Sequence, residues 1–211
     1  SRGLGDVYKR QVVIGGTTAA DRNVISGNGS PYNIYLATGA NGTVIQGNYI
    51  GTDAAGATVF SSTNSTYGIM LESSASNVTI GGTASGAGNV ISGFTDRGLW
   101  LTTTGTSTVQ GNRIGTDATG TVDLGNGGYG IYVDDGGTTV IGGTATHAGN
   151  LVSGNNGGGI YVGNTGGATI QGNTIGLNAT GTAALGNTGV GIYVVTSSAS
   201  TIGGDTTSAR N

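Results

Sequence analysis

The feature that constrains this chain most is an Asn that recurs just ahead of a short, mostly apolar pair. It reads Asn23-Val24-Ile25, Asn48-Tyr49-Ile50, Asn89-Val90-Ile91, Asn112-Arg113-Ile114, Asn150-Leu151-Val152 and Asn173-Thr174-Ile175. Seven anchors precede these segments: Ile14, Ile45, Ile80, Val109, Ile141, Ile170 and Ile202, separated by 31, 35, 29, 32, 29 and 32 residues. A third set follows each Asn segment: Ile34-Tyr35-Leu36, Ile69-Met70-Leu71, Leu99-Trp100-Leu101, Ile131-Tyr132-Val133, Ile160-Tyr161-Val162 and Ile192-Tyr193-Val194. Odd anchors run into Gly-Gly and even anchors into Gln-Gly-Asn, so the repeating unit is a pair of passes 61 to 66 residues long. Self-similarity at such a period marks a repeat architecture.

The insertions alternate as well. Odd passes carry extra residues before the second segment, as in Thr17 to Arg22, and even passes after it, as in Thr52 to Tyr67. Without them each pass is roughly two dozen residues with three strands of three to five residues and three corners, which fits a parallel β-helix. Period two places the outer pair of each third strand inward and the middle residue outward. Stacked coils then set Ile on Ile about 4.8 Å apart. Each such burial is worth roughly 1.5–3 kcal/mol, which a lone coil could not obtain. The corner Asn residues, Asn23, Asn48, Asn89, Asn112, Asn150 and Asn173, are expected to form a structural ladder, each bonding backbone locally and the Asn above and below.

Composition agrees and excludes other classes. Charged residues are 8% of the chain, against about 25% in ordinary globular proteins. Gly numbers 46 and Pro 1, and without a three-residue period this is not collagen. The regular return of Ile and Val argues against disorder. Cys is absent, which suits an exported protein. Lys and Arg total 7 and are scattered, so no nucleic-acid groove is expected. No apolar run is long enough to span a bilayer.

Residues 1–11 match no repeat and hold three of the seven basic residues. Asp6 to Gln11 resembles a translation of the transposon end used in sequencing-library preparation, so 1–11 is read as a foreign, disordered segment and 12–211 as the repeat domain. Ile202 to Asn211 repeats the length of Ile14 to Asn23, both finish in Arg-Asn, and neither end shows a cap. The expectation is a fragment of a longer repeat protein whose further coils are its neighbours.

Ile-Gly-Gly-Thr, Asn-Val-Ile-Ser-Gly-Asn, Gly-Ile-Tyr-Val and Gly-Asn-x-Ile-Gly-Thr-Asp resemble the right-handed parallel β-helix repeats of the pectin-lyase-like superfamily, and more narrowly the Gly/Asn-rich repeat proteins exported by bacteria. The resemblance covers Val12 to Asn211. It implies an all-β fold, a single-stranded right-handed parallel β-helix of about six coils, and a secreted or cell-surface location. It leaves function open, because that superfamily holds lyases, hydrolases, epimerases, tailspikes and adhesins.

The third strands carry the chemistry worth testing. Their outward column is Tyr35, Met70, Trp100, Tyr132, Tyr161 and Tyr193, and a second column just before it runs Tyr32, Tyr67, Arg97 and Tyr129. Tyr and Trp join an apolar face to a hydrogen-bonding tip. Tyr35, Trp100, Tyr132, Tyr161 and Tyr193 are therefore expected to contact a linear polysaccharide. The competing reading is that aromatics suit strand surfaces and stack on each other along the ladder. An enzyme of the lyase, hydrolase or epimerase kind is the alternative function. Its catalytic candidates are Glu72 and Asp134, two coils and so about 9–10 Å apart, with Arg97 between them. That is near the wide carboxylate spacing of inverting glycosidases. The crowding of Asp with Arg or Lys that the resemblance implies for a lyase is absent.

Asp53, Asp117 and Asn178 repeat in Ile-Gly-Thr-Asp-like contexts and read as turn residues. His147 is the only His and lies in a variable insertion. No cofactor is expected: neither an EF-hand loop nor the Gly-Gly-x-Gly-x-Asp calcium nonapeptide occurs, which leaves calcium without a loop motif. A Thr column on the first strands (Thr79, Thr108, Thr169, Thr201) is broken by Val13, Val44 and Val140, a poor match to the regular Thr array of an ice-binding face.

Overall fold

A computed structural model of the chain describes residues 11–60, 64–102, 104–134 and 137–211. The expectation for residues 1–11 falls outside them except for Gln11, as does part of the insertion 52–67.

Among the described residues the strands form three parallel sheets, wound as an all-β solenoid of about six turns. The first-strand sheet has seven members: Val13–Gly15, Val44–Gln46, Val78–Gly81, Thr106–Gln110, Thr138–Gly142, Gly167–Gln171 and Thr201–Ile202. The second-strand sheet has six: Val24–Ile25, Tyr49–Ile50, Val90–Ile91, Arg113–Ile114, Leu151–Val152 and Thr174–Ile175. The third-strand sheet also has six: Tyr32–Leu36, Tyr67–Leu71, Leu99–Leu101, Tyr129–Asp134, Gly158–Gly163 and Ile192–Val195. Register is strict. The first-strand anchors stand partner to partner from Ile14 to Ile202.

Second strands hold only two residues, shorter than the expected three to five, because a glycine at positive φ turns the chain almost at once. Gly51 at +87° and Gly115 at +88° directly follow their strands. A Cβ at Gly51 would lie 2.0 Å from the Ser92 carbonyl oxygen of the next coil, so only glycine turns there.

The core is a shaft of stacked aliphatics. Ile45, Ile80 and Ile141 from the first sheet, Ile50, Ile91 and Ile114 from the second, and Ile69, Leu99, Ile131 and Ile160 from the third are fully buried. Among the described residues no helix is long and apolar enough to cross a membrane.

Two files of Asn stitch the corners. In the first, each amide donates through Nδ2 to the Oδ1 of the Asn on the next coil. It runs Asn23, Asn48, Asn89, Asn112, Asn150, Asn173 and Asn211, with distances of 2.9 to 3.1 Å. The backbone N–H of each donor residue also reaches that Oδ1, as from Asn112 to Asn150 at 3.0 Å. The second file stands ahead of the third strand and links Asn126, Asn155 and Asn187, both bonds 2.8 Å. One coil before Asn126 its place is taken by Phe94, whose backbone N–H donates to Asn126 Oδ1 at 3.2 Å while its ring is 2% exposed, within the core.

The insertions are ordered by the same economy of hydrogen bonds. Each even one closes through an isolated antiparallel bridge: Thr52 with Val59, Thr116 with Asp123, Leu177 with Ala184. They also reach one another across an intervening coil, Ala118 N–H to the Gly56 carbonyl and Ala179 N–H to the Gly120 carbonyl, both 2.8 Å.

Candidate functional site

The third-strand register brings Tyr35, Met70, Trp100, Tyr132, Tyr161 and Tyr193 into one outward column. Tyr32 and Tyr67 are register partners in the column before it. The rings pack on each other. Tyr132 and Tyr161 stack with centroids 4.2 Å apart and planes 3° apart. Tyr32 and Tyr67 stack at 5.5 Å, Tyr67 meets Trp100 at 4.9 Å, and Tyr161 meets Tyr193 at 5.5 Å. Ring faces in the middle of the file are thus turned to neighbouring rings, as expected for offset and tilted aromatic pairs. What they offer outward is edges and hydroxyls. Tyr35 and Tyr193 are 46% and 44% exposed.

Arg97 joins the two halves. Its guanidinium carbon lies 3.9 Å from the Tyr132 centroid, 4.8 Å from that of Trp100 and 5.7 Å from that of Tyr67. Its ion pair is a long one, 3.8 Å to Asp96. A cation over ring faces is held by their quadrupoles, so Arg97 bridges a coil that supplies no Tyr. Trp100 Nε1 is buried beside it and has no hydrogen-bond partner among the described residues. Burial pushes the Tyr132 phenol up to about 12, helped by its hydrogen bond with Tyr161 and the charges of Tyr161 and Asp134, against the pull of Arg97. Burial and the bond to Glu72 raise Tyr35 as well. These phenols are neutral donors at ordinary pH.

The catalytic candidates are not brought together. Glu72 Oε2 accepts from Thr38, 3.0 Å from its N–H and 3.3 Å from its hydroxyl, on the preceding coil. Asp134 Oδ1 accepts from Asn164 Nδ2 at 2.8 Å, on the following coil. The two carboxylates therefore lean in opposite directions, with Thr102, bonded to the Leu71 carbonyl, between them. Arg97 is engaged with rings, and its backbone stands five residues back along the strand, about 16 Å by extended rise. Asp53, Asp117 and Asn178 are turn residues. Backbone N–H groups of Ala57 and Thr58 bond Asp53 Oδ1, those of Thr121 and Val122 bond Asp117 Oδ1, and those of Thr182 and Ala183 bond Asn178 Oδ1. Burial raises Asp117, but these bonds and the Thr119 hydroxyl outweigh it and hold the carboxyl below its usual range. Among the described residues no group of three or more His, Asp or Glu is placed to hold a metal ion.

A concavity lies elsewhere, over the second-strand sheet, a groove of ≈ 450 Å³. Its floor is Tyr49, Val90, Arg113 and Leu151, and His147 stands on its wall. Sequence reasoning missed it. The outward positions of the second strands were readable from period two, but the walls come from both kinds of insertion, whose paths follow no simple period. The second Asn file was missed too, although Asn126, Asn155 and Asn187 each stand five residues before an inward Ile (Ile131, Ile160, Ile192). That constant offset was the available signal.

Comparison with known proteins gives one match. The family model described as the right handed beta helix region covers residues 11–207. No curated protein and no solved structure matches the chain.

Proposed function

The chain belongs to the right-handed β-helix family, and from that premise we propose that it is a noncatalytic binding segment of an exported, cell-surface repeat protein that contacts polysaccharide along its third-strand face. One observation carries the reading: six outward positions in strict register form an almost continuous aromatic file, bridged by Arg97 where the preceding column lacks a Tyr. Because the inner rings face each other, contact with sugar is edge-on. Phenol hydroxyls recur at the coil spacing and meet sugar hydroxyls. The opposed engagement of Glu72 and Asp134 favours binding without chemistry.

The test is an affinity screen against neutral and acidic polysaccharides with wild type, Tyr193→Ala and Trp100→Ala. We expect a linear glycan to bind, with affinity reduced roughly tenfold by either substitution, the size of effect aromatic anchors have at interfaces. Binding that ignores both substitutions, or no binding to any linear glycan, would sink the reading.

A further inference from the structure

The groove over the second-strand sheet holds two guanidinium groups and no carboxylate. Its lining includes Arg22 and Arg113 but neither Asp nor Glu, in a chain whose formal net charge is −3. Arg113 is half-buried, and among the described residues it makes no side-chain hydrogen bond or ion pair. The nearest acidic turn does not serve it, because Asp117 spends its oxygens on Thr119, Thr121 and Val122. Arg22 is better placed but still open. Its Nε donates to the Gly47 carbonyl at 3.1 Å and its guanidinium covers the Tyr49 ring at 4.1 Å, leaving the terminal nitrogens free of any other described bond. A half-buried cation without an acceptor is costly, and it points to an anion that arrives from outside.

The walls add a second, independent sign. His147 adopts φ +63°. At the matching place in the insertion two coils earlier the chain uses Gly86, at φ +81°. A bulky side chain in the left-handed region costs about 1–3 kcal/mol and persists where the surroundings impose it. Here it sets an imidazole on the rim of the groove.

We propose that this groove binds an organic oxyanion, a carboxylate, sulfate or phosphate ester on a body two to three rings long. Arg113 takes the charge and Val90 and Leu151 take the body. A volume of ≈ 450 Å³ suits a molecule of that size. Arg113 presents a planar fork that matches an oxyanion bidentately. Arg22 stands three coils away, about 14 Å at the strand spacing, and so meets a second charge only on a longer ligand. The site is separate from the third-strand face and does not depend on its aromatic file.

The test follows the Arg113 Nε–H resonance of the isotopically labelled chain, assigned by its loss in Arg113→Gln. The probes are 2-naphthoate against 2-naphthylmethanol, a uronic-acid disaccharide against its neutral hexose counterpart, and inorganic sulfate alone. We expect at least one acid to shift the resonance and to bind roughly tenfold tighter than its neutral partner. Which acid does so distinguishes an aromatic from a sugar source. Arg113→Gln should erase that preference and Arg113→Lys should keep part of it, while Trp100→Ala leaves it unchanged. Acids that bind no better than their neutral partners, or a preference that survives Arg113→Gln, would overturn the proposal. Sulfate binding as tightly as either acid would also overturn it, since the groove would then hold an adventitious ion only. Failure here leaves the polysaccharide reading of the third-strand face standing.

Discussion

Asn files stitch two of the corners, and the two corners fare differently. Ahead of the second strand the amides run unbroken through seven residues, Asn23 to Asn211. Ahead of the third strand they run through three and stop at Phe94. The path into the corner does not explain this: Asn155 follows Val152 through Ser153-Gly154 just as Phe94 follows Ile91 through Ser92-Gly93, whereas Asn126 and Asn187 enter after insertions and still join the ladder. The break is made by the side chain itself, an apolar ring where the later coils carry an amide. Gly51 and Gly68 leave it room: a Cβ at either would come within 2.8 Å of the Phe94 ring. One corner thus accepts either an amide that stitches neighbouring coils or a ring that fills the core.

The largest effect is expected at that break. Phe94→Ala should cost about 3–5 kcal/mol, as deletion of a buried aromatic does. Phe94→Asn should cost about 1 kcal/mol less, because the new amide can donate to backbone as Asn126 donates to the Ile91 carbonyl. Denaturant unfolding of the pair checks this, and equal losses would mean that the second file adds nothing at its margin.

Next comes the contrast between the files themselves. Asn112 accepts from Asn89 and donates to Ile80, Gln110 and Asn150, all but the Gln110 bond buried. Its replacement by Ala leaves several buried partners unpaired and should cost about 3 kcal/mol. Asn187 is half-exposed, so water can enter in place of its amide beside Asn155 and the Val152 carbonyl, and Asn187→Ala should cost about 1 kcal/mol. Similar losses in denaturation would erase the distinction between the corners.

The smallest effect belongs to the insertion loops. Asp117 is held below the usual carboxylate range when folded, so its contribution is complete above that range and fades as pH falls through the depressed value. Asp117→Asn should cost only about 0.5 kcal/mol at neutral pH, because Asn178 makes the same bonds two coils on. It should also flatten the acid limb of the stability profile. A large loss at neutral pH would show that the charge itself organises the loop.

These comparisons show what could be read in advance. The strand triplets, their stacking and the first Asn column were legible because the residues that build them recur at one offset from the anchors. The third-strand column was legible for the same reason. Its ring geometry was not, since whether Tyr132 faces Tyr161 or solvent depends on rotamers that no spacing fixes. The candidates Glu72 and Asp134 looked paired because column and coil number bring their backbones close. Their hydrogen bonds to Thr38 and Asn164 turn them apart, and those partners lie in irregular corners. The groove was hidden altogether, because Arg113 stands in a column of Tyr49, Val90 and Leu151 and owes its setting to insertions of variable length.

The insertions have a mechanical consequence. Ala118 and Ala179 grip the loops two coils away, so coils are coupled in twos as well as one by one. A chain pulled from its ends would meet its resistance in those doublets, each releasing 61 to 66 residues, about 20 nm of extended chain at the contour length of a polypeptide. Such a spool would pay out thread in discrete lengths, as a tether that lengthens by steps under load.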